Sequence, residues 1–133
     1  MRQKPCFIRF QGVDLFYLDF KNIKSEEVAQ YLEESKSLIS KCLPDSILFL
    51  VDATGVNYNP KMIREFTNFS RFNGSFARAT AIIGISNQIR LLYNVALSIA
   101  GRDKSKFKYF SERDESEAKL WLKSMIDNKK GEK

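Results

Sequence analysis

The chain contains no histidine. That removes imidazole bases, phosphohistidine relays and histidine metal ligands from anything it does alone. Cysteine is nearly missing too. Cys6 and Cys42 are the 2 in the chain, and they form no CxxC pair, which leaves neither a zinc site nor a disulfide framework. They read as buried thiols of a reducing compartment. No apolar run approaches the ~20 residues a bilayer requires, so no transmembrane segment is expected. Arg2 and Lys4 are basic, but Gln11 and Asp14 interrupt any apolar leader, and a cytoplasmic location is expected. Gly55 stands alone, outside any glycine-rich phosphate motif. No cofactor and no metal is expected.

What is present is ordinary for a globule. The 133 residues are 44% hydrophobic and 29% charged. That length suits one domain, assigned to residues 1–127, with 128–133 as a frayed polar tail. Lysine and arginine number 22 against 16 acidic residues, a net charge of +6. Such an excess suits an anionic partner, but solvated lysines also produce it. Arg102, Lys104, Lys106 and Lys108 alternate beside Tyr109 and Phe110. Basic residues beside aromatics can bind nucleic acid. Alternation fits better a loop entering an edge strand, where lysine discourages edge pairing, so a nucleic-acid partner is not expected.

The pattern of elements is legible. Cys6–Phe10 and Val13–Phe20 are rich in β-formers and flank Gln11-Gly12, a hairpin pattern. Ser25 offers an N-cap, with Glu26 and Glu27 at the positive end of a helix. Val28, Leu32, Leu38, Ile39 and Cys42 then follow helical spacing. Ile47–Val51 is continuously apolar, as in a central parallel strand. Asn59-Pro60 starts a helix that Asn73-Gly74 ends. Ala79–Ile85 is a second buried strand, and Ser86 caps a helix over Asn87–Ala100. Phe107–Phe110 is a short strand. A last helix carries Ala118, Trp121, Leu122, Met125 and Ile126 inward. The order is ββαβαβαβα. It implies an α/β domain whose five-stranded sheet is mixed but mainly parallel, with an N-terminal hairpin and about four helices on both faces.

Several stretches resemble a known family. Ile47–Val56, with its Asp-Ala-Thr-Gly turn, resembles the central strand and turn of STAS domains, the fold of the anti-sigma-factor antagonists. Arg78–Ser86, Leu91–Ala96 with Ser98–Arg102, and Phe107–Phe110 with Ser116–Leu122 are similar to the SpoIIAA-like, STAS/SEC14-type branch. The likeness covers residues 47–122; the hairpin and first helix match in order only. It implies a single regulatory or protein-interaction module without catalytic residues. In the anti-sigma antagonists a Ser or Thr at the start of the helix after the central strand is phosphorylated. The matching stretch here, Asn57–Met62, holds neither, so that switch is expected to be absent.

Candidate site residues fall in two groups. Asp52, Thr54, Asn57, Asn59 and Lys61 leave the central strand at its carboxyl end, where open α/β sheets place ligands. Ser86, Asn87 and Arg90 leave the neighbouring strand in the same direction, and two helix N-termini attract anions there. The plainer reading is that Asp52 and Thr54 satisfy turn amides while Asn59 and Ser86 act only as caps.

The second group is apolar. In Asn87–Ala100 the residues Arg90, Asn94 and Ser98 form a narrow polar stripe, and apolar side chains, Leu91 and Leu97 among them, fill most of the remaining circumference. A surface helix needs an apolar arc of only about 100° or somewhat more. The surplus implies either deep burial or an added contact: a protein partner, a second copy in a homodimer, or an apolar ligand. Phe66 lies on the inner stripe of helix 60–73. Phe72 falls off that stripe as a candidate exposed aromatic, and with Phe76 it could line a groove against helix 87–100. The expected role is non-enzymatic: a regulatory or interaction module or, alternatively, a carrier of a small or lipid-like apolar ligand between those two helices. The adjacent carboxylates Glu26/Glu27, Glu33/Glu34 and Asp114/Glu115 do not converge on one substrate.

Overall fold

The structure is a computed structural model that describes the backbone of residues 4–131 and the side chains of residues 4–126. The elements in chain order are β1 (Cys6–Phe10), β2 (Val13–Asp19), α1 (Ser25–Ile39), β3 (Ile47–Asp52), α2 (Pro60–Asn73), β4 (Ala77–Ile83), α3 (Asn87–Ile99), β5 (Phe107–Phe110) and α4 (Glu115–Gly131). A 3-10 turn over Lys104–Lys106 precedes β5. The expected tail, residues 128–133, falls on side chains outside the described residues, as does the backbone of 132 and 133.

The hairpin turns on Gln11 and Gly12, both at positive φ, 46° and 85°. Two such residues match the right-handed twist of the flanking strands. Cys6 thereby faces Tyr17, and Phe10 faces Val13, in antiparallel register. The strands then run β1-β2-β3-β4-β5 in spatial order, and β2–β3, β3–β4 and β4–β5 are parallel.

That order dictates where the helices lie. Each parallel step moves one place in the same direction, and each crossover keeps the right-handed sense. All three crossover helices are therefore thrown onto one face, and only α4, after the last strand, is free to cover the other. The cores divide accordingly. Phe16, Leu18, Phe49, Val51 and Ile82 face α1, α2 and α3. Leu15, Leu48, Leu50, Ala81 and Ile83 meet Ala118 and Leu122 of α4. Both faces of β3 and β4 are buried along their whole length.

Several boundaries differ from expectation for local reasons. Lys24, not Ser25, is the N-cap of α1. Its backbone N–H donates to Glu27 Oε1 at 2.9 Å, so the carboxylate closes the turn without a hydroxyl cap. The α1 helix stops at Ile39 rather than Cys42. Both cysteines are only half-buried. The β4 strand lies two residues earlier than expected, at Ala77–Ile83; Gly84, at φ 84°, turns the chain after it. Phe72 is half-buried, not exposed; its ring lies 5.5 Å from that of Phe76.

Candidate functional site

The α2 and α3 helices lie side by side across β2–β5 and do not close on each other. Thr80 in the sheet, Ser70 on α2 and Ala96 on α3 are too short to fill the space between them. The result is a half-open cavity of about 90 Å³. Its floor is Leu18, Phe49, Val51 and Ile82. Phe66 and Phe69 of α2 form one wall, and Leu92 and Leu97 of α3 form the other. The lining is overwhelmingly apolar. Of the apolar residues expected to shape a groove, Phe66 and Leu97 line it. Phe72 and Phe76 do not: Phe72 turns toward α1, where Lys36 Nζ sits 5.7 Å from its ring. Leu91 lies outside the cavity as well.

Polar groups mark two parts of the cavity wall. Tyr58 and Tyr93 meet hydroxyl to hydroxyl at 2.7 Å. Burial pushes the Tyr58 phenol up to about 12 and raises that of Tyr93 well above its ordinary value, so both stay neutral donors and acceptors. Elsewhere Arg102 lies along the last turn of α2. Its Nη1 donates to the Ser70 carbonyl at 2.9 Å and to Ser70 Oγ at 3.0 Å. Its guanidinium stacks 4.7 Å from the Phe107 ring centroid. Among the described residues no carboxylate pairs with it. Burial lowers its pKa to about 10, a cation still charged at neutral pH but held at a desolvation cost. Asn73 completes this part of the wall. It is 5% exposed, and its Oδ1 is buried without a hydrogen-bond partner among the described residues. Sequence reasoning named neither Arg102 as a ligand group nor Asn73. The available signal was an arginine and an asparagine at the ends of α3 and α2, which also reads as two ordinary helix ends.

The rim residues at the carboxyl ends of β3 and β4 make local contacts. Asp52 Oδ1 accepts from the Thr54 amide at 3.1 Å and from Thr54 Oγ1 at 2.7 Å. Lys21 Nζ stands 3.8 Å from Asp52 Oδ2. Asn59 Oδ1 caps α2 through the Met62 amide at 2.8 Å, and Ser86 Oγ caps α3 through the Ile89 amide at 3.3 Å. Lys61 pairs with Glu65 at 3.5 Å. Asn57 and Asn87 are exposed. Arg90 turns from the rim to lie 5.4 Å from the Tyr109 ring centroid.

That last contact sets the orientation of α3. Arg90 and Asn94 face β5, where Tyr109 donates its hydroxyl to Asn94 Oδ1 at 2.9 Å. Leu91, Val95 and Ile99 face outward instead, 69%, 57% and 63% exposed. They are spaced i, i+4 and i+8 and form an apolar strip on the outer side of the cavity's wall. Among the described residues no cluster of His, Cys, Asp or Glu could hold a metal ion, and no helix is long and apolar enough to cross a membrane.

No protein-family profile and no curated protein matches the chain. Among solved structures it is similar to an uncharacterised protein of the DUF3478 family with a SpoIIAA-like fold from Shewanella loihica. The two share 19% identity over 89% of this chain and 91% of the other, at a TM-score of 0.65. The fold is SpoIIAA-like, the STAS-type α/β fold, as the sequence implied.

Proposed function

We propose that the protein is a non-enzymatic binding module that takes a small apolar ligand into the cavity between α2 and α3. The cavity carries this reading: about 90 Å³ of apolar-lined space, half open, beside a core of buried apolar side chains. Well-packed interiors hold few voids larger than a water, whereas an apolar cavity of about 150 Å³ accepts benzene. A ring or short chain suits this one, with part of the ligand at the opening. No acid–base or nucleophile pair faces the space among the described residues; its polar groups are hydroxyls, an amide and a guanidinium. The test is calorimetric titration with toluene, together with native mass spectrometry of the purified chain. Saturable 1:1 uptake of toluene is expected, and failure to bind either toluene or any ring with a single polar substituent removes the reading.

The exposed strip Leu91–Val95–Ile99 favours a second reading, a regulatory or interaction module that uses the outer side of α3. Sedimentation of the wild type and Leu91→Glu tests self-association through this strip. A monomer in both cases would remove the homodimer from this reading.

A further inference from the structure

We infer that the ligand is a small monocarboxylate, an aromatic ring or short chain with one anionic end, held by Arg102. The inference rests on the carrier reading and specifies its ligand. Arg102 is the observation that leads there. The last turn of a helix already favours a cation, and Nη1 meets that role by donating to Ser70. Among the described residues both of its hydrogen bonds use Nη1, so Nη2 and Nε remain for another acceptor. A guanidinium offers paired donors matched to a carboxylate. One cation without a carboxylate partner, beside an apolar space, matches one negative charge on an apolar body. A phosphate dianion would call for a second cation.

Asn73 is the independent second observation. Its Oδ1 is buried and unpartnered in the same wall. Buried polar atoms without partners are rare in folded proteins and mark places where another molecule can bond. The amide serves either end of a ligand. As placed, Oδ1 accepts from a ligand hydroxyl; turned over about its last bond, the NH2 donates to the carboxylate. The ring of such a ligand lies against Phe66, Phe69 and Leu97, with the head at Arg102.

The experiment is calorimetric titration of the full chain with toluene, phenylacetate, its neutral isostere phenylacetamide, and phenyl phosphate. Phenylacetate is expected to bind at least about ten-fold tighter than phenylacetamide, the range of a charge-assisted bond. Arg102→Gln is expected to abolish that preference and Arg102→Lys to keep part of it, with both variants checked for folding by circular dichroism. Equal binding of acid and amide overturns the inference and leaves the carrier reading standing. So does a preference that survives Arg102→Gln. Tighter binding of phenyl phosphate overturns the carboxylate assignment. If none of the probes, toluene included, binds, both readings fall together.

Discussion

The hydroxyls of Tyr58 and Tyr93 share one hydrogen bond of 2.7 Å across the seam between the approach to α2 and the body of α3. Their rings meet edge-on, 5.9 Å apart. Either phenol alone would be a half-buried hydroxyl that loses this partner. Tyr93→Phe is therefore expected to destabilise the domain by about 1–2 kcal/mol, because it strands the Tyr58 hydroxyl. The double variant Tyr58→Phe/Tyr93→Phe should cost less than the sum of the two singles. Urea unfolding of the four proteins measures this coupling. Purely additive costs would mean that the pair contributes nothing as a pair.

The same pair sets an alkaline limit. In the unfolded chain both phenols ionise near pH 10, whereas burial holds Tyr58 near about 12 and Tyr93 well above its usual value. Between those values the folded chain keeps protons that the unfolded chain has released. Stability from the neutral pair is thus fully present below pH 10 and is lost as pH rises from 10 toward 12. Tyr109 shifts in the same direction and Arg102 in the opposite sense, but both are common to wild type and the double variant. The difference in their pH–stability slopes above pH 10 isolates the pair, with the wild type expected to fall more steeply.

Much of this architecture was legible because periodicity reports burial directly. The continuous apolar run Ile47–Val51 could only be a strand covered on both faces, and it is. Handedness alone placed helices on both faces; which helix takes which side needed the strand order β1-β2-β3-β4-β5. What did not follow was the orientation of α3. Its polar stripe Arg90–Asn94–Ser98 was legible, but not the side to which it turns. Tyr109, on a strand after the helix, offers Arg90 a ring face and Asn94 a hydroxyl donor, and this draws the first two of those residues inward. No pattern within the helix encodes a partner that arrives 15 residues later. The groove between α2 and α3 was legible as one alternative from the apolar surplus, with Phe66 and Leu97 in it; the rest of its lining was not, because Ser70, Thr80 and Ala96 are unremarkable singly and leave a gap only when brought together.

Leu91 and Leu97 were one group in the sequence and lie on opposite sides of α3 in the structure. Leu91 is 69% exposed and Leu97 is 4% exposed. Leu91→Glu should change stability by no more than about 0.5 kcal/mol, as surface substitutions do. Leu97→Ala should cost about 2–4 kcal/mol, reduced toward the lower figure if the existing cavity lets α3 settle. Parallel denaturant unfolding of the two variants checks the assignment. A large cost at Leu91 would mean that the outer strip is covered.

Two glycines share nearly the same backbone and should respond differently to alanine. Gly84 and Gly12 have φ of 84° and 85°. At Gly12 a Cβ meets nothing within 4 Å, so only the left-handed strain applies, about 1 kcal/mol. At Gly84 a Cβ would collide with Thr54 Oγ1 and come within 3.0 Å of its Cα. Thr54 is tied to Asp52 and cannot simply turn away. Gly84→Ala is expected to cost more than about 2 kcal/mol, over twice the Gly12→Ala effect. Thermal and urea unfolding give the ratio. Equal costs would show that the Asp52–Thr54 turn yields freely.

Arg102→Met separates a structural arginine from one kept for a ligand. The side chain makes two hydrogen bonds to Ser70 and stacks on Phe107, which together favour the folded state. Against this stands the desolvation of a cation without a carboxylate partner, seen in a pKa drawn down to about 10. Methionine retains the stem's packing and removes the charge. A buried charge replaced by a well-packed apolar side chain is often neutral or stabilising. The ligand-free variant is therefore expected to lie within about 1 kcal/mol of wild type, on the stable side, while losing the added stability that phenylacetate gives the wild type at saturating concentration. Urea unfolding with and without phenylacetate measures both quantities. A loss of several kcal/mol without ligand would make Arg102 a strut of the fold, since a residue held for binding should cost the empty protein something and not support it.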